Sequence, residues 1–282
     1  MTDLFDELGV PRDDPNPRRN DDTPMRRPRN RRRRSRPTFF GVLGEVLITG
    51  GVVVLLFLGW QLWWNDWIMS NQQASAAQDL TQQFIENDRA TQDPTAPPPD
   101  PAVGYGDPVV GAAPTDGEAF AVLYIPRYDI NKPRKIAEGT GTNVLNSEYL
   151  GIGHYPGTQM PGEVGNFAVA AHRSAYGGGM HLINEFQLGD PIYVQTQDGW
   201  YTYRFRDLEY VQDTQVDVLN PVPGVDGIAP TDRIITLTSC NPLYSTAERI
   251  IAYGVFESWQ PTSAGPPADI AAAVNADVQA QG

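Results

Sequence analysis

The sequence predicts an all-β domain, a closed or nearly closed barrel with a few short helices, preceded by one membrane-spanning helix. Three observations carry this. From Glu118 to Trp259 the chain shows many short strand patterns and few helical ones. A single long apolar stretch, Phe39 to Trp64, separates an arginine cluster from a group of tryptophans. Residues 91–117 and 260–282, which flank the strand-rich region, contain many Pro and Gly residues, which interrupt regular secondary structure.

The composition bounds the reading. With 282 residues, 27 Gly, 25 Pro and 40% hydrophobic content, the chain can bury a modest core and is neither collagen-like nor wholly disordered. One cysteine, Cys240, excludes a disulfide scaffold. The net charge of −13 hides an asymmetry: residues 1–40 hold eleven Arg, eight of them between Arg26 and Arg36, against seven acids. Beyond Trp64 there are ten basic residues and 26 acids, so the bulk of the protein repels nucleic acid, and no nucleic-acid partner is expected.

The elements follow in order. Residues 1–38, dominated by Pro, Asp, Asn and Arg, read as a disordered cytoplasmic tail. Their arginines serve as an orientation signal and an anionic-lipid contact. Residues 39–64 read as the transmembrane helix. At about 1.5 Å per residue they reach roughly 39 Å, enough to cross a ~30 Å hydrocarbon core with slight tilt. Glu45 lies in the first two turns, within reach of the headgroups, and Trp60, Trp63, Trp64 and Trp67 form an aromatic belt at the far end. The stretch is too long for a signal-peptide core, and no small-residue cleavage site follows it. The expected localisation is the cell membrane, single-pass, with the N-terminus cytoplasmic and everything beyond Trp64 outside.

Residues 65–117 read as a juxtamembrane segment and linker: a weak helical pattern over Asn65–Ala90 (Ile68, Leu80, Phe84, Ile85), then a Pro-rich extended spacer. Within the domain at 118–259, strands are expected at Ala119–Ile125, Asn166–Ala171, Pro191–Gln197, Trp200–Arg206, Arg233–Ser239 and Arg249–Phe256. Asp198-Gly199 signals a type I′ hairpin turn. Leu182–Gln187 and Thr142–Tyr149 suggest short helices. Residues 260–282 read as a loose C-terminal tail.

Cys240 is the first candidate for chemistry. On the oxidising side of a membrane an unpaired thiol is either small core filler or a working nucleophile. Here it ends the strand Ile234–Ser239 and precedes Asn241-Pro242, a position where a nucleophile opens into a loop. A thiol nucleophile needs a proton-transfer partner, and His154, His172 and His181 are the histidines present. His172 ends the apolar strand Asn166–Ala171, just as Cys240 ends its own, whereas His154 lies in a loop and His181 opens a helix. Their spacings of 18 and 9 match no compact metal motif, and the acids are scattered, so no metal and no other cofactor is expected. Arg249 opens the next strand and would meet Cys240 if the two strands are neighbours. It is then a donor for a developing oxyanion, or otherwise a surface charge paired to Glu248.

Together these residues resemble the sortases. Thr236-Leu237-Thr238-Ser239-Cys240 resembles their TLxTC signature, with Ser239 where Thr is usual and Asn241 where His often follows. Ala170-Ala171-His172-Arg173 resembles the segment carrying their His, and Arg249 falls where their essential Arg falls. Gly151–Thr158 and Pro161–Asn166 are similar to the actinobacterial housekeeping type, class E. The resemblance covers about residues 119–258. It implies an eight-stranded sortase barrel and a membrane-anchored cysteine transpeptidase that cleaves a C-terminal sorting motif, LAXTG or LPXTG, between Thr and Gly. It implies Cys240, His172 and Arg249 as catalytic, with Tyr155, Thr238 and Ser239 at the substrate. The partners implied are surface proteins bearing sorting signals and a lipid II-type peptidoglycan precursor amine. Tyr155 either packs beneath its loop or narrows the pocket to favour Ala over Pro in the motif. A hydrolytic cysteine peptidase and a non-catalytic wall-tethered barrel are the rival readings. A pilin-polymerising type is disfavoured, because no Asp-Pro pair of the linker is followed by an aromatic residue.

Overall fold

The computed structural model describes residues 38–60, 64–93 and 104–281. The arginine tail, Trp63 and the first part of the Pro-rich spacer lie outside the described residues. The chain divides into two compact units at Gly50/Gly51, inside the apolar helix. That helix, α1 (Phe39–Gly59), is 21 residues long, long and apolar enough to cross a membrane, and none of its side chains is buried. The other elements belong to the second unit.

Helix α2 (Asn65–Thr91) spans the stretch its weak apolar pattern marks, with Asp66 in its first turn and Arg89 in its last, each matching the helix dipole. Eight strands follow: β1 (Ala119–Tyr124), β2 (Arg134–Glu138), β3 (Gly151–His154), β4 (Gly165–Ala171), β5 (Pro191–Thr196), β6 (Gly199–Gln212), β7 (Arg233–Asn241) and β8 (Glu248–Pro261). They close into a barrel in the order β1-β2-β3-β4-β7-β8-β6-β5. The pairs β2/β3 and β4/β7 are parallel, and the others antiparallel. A short helix, α3 (Thr142–Leu145), and a 3₁₀ turn at Ile183–Glu185 occupy the two expected helical sites.

Strand periodicity sorts the side chains. Ala121 and Leu123 of β1, Ile192 and Val194 of β5, and Tyr201, Tyr203 and Phe205 of β6 point into the barrel. The alternate residues Val122, Tyr124, Tyr193 and Trp200 face outward, yet are also buried. Ala77 and Phe84 of α2 cover them, and small side chains at Ala74, Ala76 and Ala77 are buried along the same helix. The Thr81 hydroxyl donates to Gln195 Oε1 and receives the Tyr124 hydroxyl, both at 2.7 Å.

Four expectations are corrected. Residues 260–282 are not a loose tail: β8 runs to Pro261, and helix α4 (Ala268–Gln281) brings Ile270 and Val274, one turn apart and both 1% exposed, onto the same outer cluster. The described end of the spacer is fastened rather than free. Trp259 Nε1 donates to the Gly106 carbonyl at 2.9 Å, and Asp107 pairs with Arg233 at 3.4 Å, at the barrel end where β7 begins. Cys240 lies at the other end of β7.

The β5–β6 hairpin forms, but its loop is Gln197-Asp198, and neither Asp198 nor Gly199 takes a positive φ, so the turn is not type I′. Gly199 is needed for another reason: a Cβ there would sit 2.3 Å from the Gln260 carbonyl of β8. Finally, His154 ends strand β3 instead of lying in a loop. Strands β2 and β3 escape the pattern because Arg134, Glu138 and His154 are buried polar residues and β3 carries two glycines. A Cβ on Gly153 would lie 2.2 Å from the Gly139 carbonyl.

Candidate active site

The site grows from three adjacent strands, β4, β7 and β8. Along β7, Ile235 and Leu237 point into the core, which puts Thr236, Thr238 and Cys240 on the outer face. Along β8, Ile250 and Ala252 point inward, leaving Arg249 on the outer face, and along β4 the inward Phe167, Val169 and Ala171 leave His172 there in the same way. Cys240 and Arg249 are direct cross-strand partners, and such pairs have Cβ atoms about 4.5–5.5 Å apart. The parallel β4/β7 register pairs Ala170 with Thr238. Extended by two residues, it places His172 beside Cys240. The structure therefore brings the three sequence-predicted catalytic residues to one face at one end of the barrel.

Each is held in place. Cys240 is half-buried, a free thiol. His172 Nε2 donates to Asn146 Oδ1 at 2.8 Å, which leaves Nδ1 as the nitrogen able to exchange a proton. The Tyr176 ring packs on the imidazole with centroids 4.9 Å apart. Arg249 Nη1 donates to the carbonyls of Thr246 and Glu248, both at 2.9 Å. Among the described residues no ion pair joins Arg249 to Glu248; that carboxylate instead accepts from Asn241 Nδ2 at 3.0 Å. Arg173, 8% exposed, donates to Asn241 Oδ1 at 2.5 Å and to Asn184 Oδ1 at 2.9 Å. The residues flanking His172, Cys240 and Arg249 are thus braced to one another.

Asn146, Tyr176 and the Arg173–Asn241–Glu248 brace were not singled out from the sequence. The only signal for the brace was adjacency, since each member directly follows or precedes a catalytic candidate. Of the substrate-binding candidates, Tyr155 and Thr238 meet: their hydroxyls are 3.0 Å apart, one pleat repeat along β7 from Cys240. Ser239 is different. It lies on the Ile235/Leu237 side, is 4% exposed, and donates to the Ala171 carbonyl at 2.8 Å. Its hydroxyl clamps β7 to β4 and does not face the groove, a correction to its expected place at the substrate.

The other two histidines are engaged elsewhere. His154, fully buried, is 2.6 Å from Glu138 and 2.9 Å from Thr158 Oγ1. His181 Nδ1 donates to the Arg173 carbonyl at 3.0 Å. Among the described residues, no group of three or more His, Cys, Asp and Glu side chains is placed to hold a metal ion. A cavity of about 610 Å³ opens beside the loop after His172, walled by Trp67, Tyr128, Lys132, His181, Leu182 and Tyr244.

Burial lowers the His172 pKa from its ordinary 6.5, and the Asp66 carboxylate partly opposes this. The folded protein therefore binds this proton more weakly than the unfolded chain, and this group's contribution to stability falls as pH drops below about 6.5. In an NMR titration the His172 midpoint is expected below 6.5, and lower again in Asp66→Asn. A midpoint at or above the ordinary value, or a rise in that variant, would contradict this account.

A thiol, an imidazole and a guanidinium aligned on one face of a closed barrel define a class of protein, one equipped for acyl transfer through cysteine. The sortase domain family matches residues 123–257. Sortase SrtE2 of Streptomyces coelicolor is 32% identical over 217 residues, covering 76% of this chain and 80% of that protein. Sortase SrtE1 of the same organism is 34% identical over 231 residues, covering 80% of this chain but only 59% of that protein's length. Among solved structures, the SrtA sortase from Actinomyces oris superposes with a TM-score of 0.55 at 38% identity, covering 58% of this chain and 94% of that one. Sortase E1 from Streptomyces coelicolor, solved with a tripeptide in its active site, gives 0.50 at 36% identity, covering 56% and 98%. The chain belongs to the sortase family of cysteine transpeptidases.

Proposed function

We propose that the protein is a membrane-anchored class E sortase. It cuts a C-terminal sorting motif between Thr and Gly and joins the released protein to the amine of a cell-wall precursor. One relation carries the proposal: Cys240 and Arg249 are cross-strand partners, and the β4/β7 register, carried two residues past Ala170 and Thr238, puts His172 on the same face. In the first step Cys240 Sγ bonds to the Thr carbonyl carbon, the Thr–Gly C–N bond breaks, and the thiol proton passes through His172 to the leaving amine. In the second, the acceptor amine forms the new C–N bond, the C–S bond breaks, and the amine's proton returns through His172 to the sulfur. Arg249 stabilises the oxyanion in both steps. Helix α1 anchors the enzyme, with the arginine tail in the cytoplasm and the barrel outside.

The test uses the full-length chain in detergent with an LAXTG peptide and hydroxylamine as acceptor. A hydroxamate product is expected, as is a Cys240 thioester detectable by mass spectrometry. Cleavage that yields only the free acid would favour the hydrolytic peptidase. Indifference of Cys240 to methanethiosulfonate reagents would favour a non-catalytic barrel.

Two further outcomes follow from the same site. Arg249→Lys keeps the charge but loses the planar donor fork, so turnover is expected to fall by at least ~10-fold. Near-wild-type turnover would remove Arg249 from the oxyanion role. The Tyr155 ring, held at Thr238, narrows the groove near Cys240, and its hydroxyl is a partner for the backbone amide that Ala has and Pro lacks. Loss of such a bond costs about 1–3 kcal/mol. Tyr155→Ala is therefore expected to narrow or reverse the preference in kcat/KM for LAXTG over LPXTG peptides. An equal loss on both peptides would make Tyr155 scaffold.

A further inference from the structure

Helix α2 presents Asp66, Ser70 and Gln73 along one face, spaced by four and three residues, to the loop that follows His172. Asp66 Oδ2 accepts from the Ala175 amide at 3.1 Å. Ser70 Oγ accepts from Arg134 Nη2 at 2.7 Å, and the same nitrogen donates to the Gly177 carbonyl at 3.4 Å. Gln73 Nε2 donates to the carbonyl of Ser147 at 2.9 Å and to that of Tyr176 at 3.0 Å. Gln73 is fully buried, and a Cβ added at Gly151 or Gly177 would come within 2.8 or 2.4 Å of its carboxamide. The two glycines leave the room this carboxamide occupies, although its Oε1 is buried with no hydrogen-bond partner among the described residues.

One of the two carbonyls it holds belongs to Tyr176, a support of the His172 imidazole, and the other to Ser147, the neighbour of the second support. Ser147 directly follows Asn146, the acceptor of His172 Nε2–H. Tyr176 is the ring stacked on His172, and it stands with Ala175 at positive φ, 49° and 73°, a backbone state that persists only where contacts enforce it. We infer that Gln73 is a positioning residue for His172, clamping the hydrogen-bonding and stacking partners of the imidazole from the helix that follows the membrane anchor. The inference rests on the reading of His172 as the proton-transfer group. It means that the first turns of α2, from Asp66 to Gln73, brace the site, while its later turns, with Ala77 and Phe84, cover the core.

Gln73→Met keeps the side chain's length and bulk and removes both donors. Thr81→Val is the control: it lies on the same helix and is buried, but it is bonded to Tyr124 and Gln195, away from His172. In the full-length chain in detergent, Gln73→Met is expected to lower kcat for peptide cleavage by at least ~10-fold with KM within about twofold. Its His172 NMR titration midpoint should rise toward the ordinary value as the ring loses its cover. Thr81→Val should lower Tm while leaving kcat within about twofold and the His172 midpoint in place. Gln73→Asn, one methylene too short to reach both carbonyls, should move both readouts in the same direction and serves if the Met variant does not fold. Wild-type kcat and an unmoved midpoint in the Gln73 variants would overturn the inference, as would equal losses of kcat in Thr81→Val. Full activity in His172→Ala would instead end the reading of His172, whatever Gln73 does.

Discussion

The full-length chain carrying Cys240→Ala is expected to release no cleaved product from a sorting-motif peptide and to form no acyl adduct, while keeping the wild-type Tm to within a few degrees. The expectation is complete loss because the sulfur makes and breaks a covalent bond in both half-reactions, and no other residue can replace it: Cys240 is the only cysteine of the chain. The fold should tolerate the change, since Cys240 is half-buried at a strand end and the neighbouring clamp, Ser239 to the Ala171 carbonyl, is untouched. Mass spectrometry after incubation with peptide, together with chromatography of the products, reads both parts. Retained cleavage would end the proposed mechanism.

The second large effect concerns where the domain can be cut. Residues 118–259, the domain limits read from the strand pattern, are expected not to fold cooperatively, whereas residues 65–282 are. Removing α2 and α4 uncovers Val122, Tyr124, Tyr193 and Trp200, all at most 2% exposed in the intact protein. At about 25 cal/mol per Å² and 150–250 Å² for each of the three large rings, exposing these side chains costs on the order of 10–20 kcal/mol. That is comparable to the ~5–15 kcal/mol total stability of a typical domain. Denaturant unfolding of the two fragments, followed by tryptophan fluorescence, tests this. A sharp transition in the shorter fragment would show the barrel to be self-sufficient.

The reach of local pattern shows in particular elements. Six of the eight strands were legible because their apolar residues alternate or run unbroken, as in Phe167–Ala171 and Ile234–Leu237. Strands β2 and β3 were not, since Glu138 and His154 bury a polar pair and Gly153 is dictated by a backbone passing close by. Helix α4 was missed although its alanines favour a helix, because Ile270 and Val274 declare a buried face only once α2 and the outer side of β5 are beside them. Ser239 was misplaced because a sequence motif does not say which side of a strand meets the groove.

The long apolar segment, the all-β class and the three residues on which the proposed chemistry depends can all be read along the chain. Each of these is written in a local run: a hydrophobic stretch, a two-residue period, a reactive side chain at a strand end. The fold adds that Cys240 and Arg249 are direct partners, that the parallel β4/β7 register directs His172 toward the same face, and that Gln73, 99 residues before His172 in the chain, bonds to Tyr176 and to the neighbour of Asn146. Those relations come from strand register and close packing between segments distant in sequence, and no local pattern encodes them.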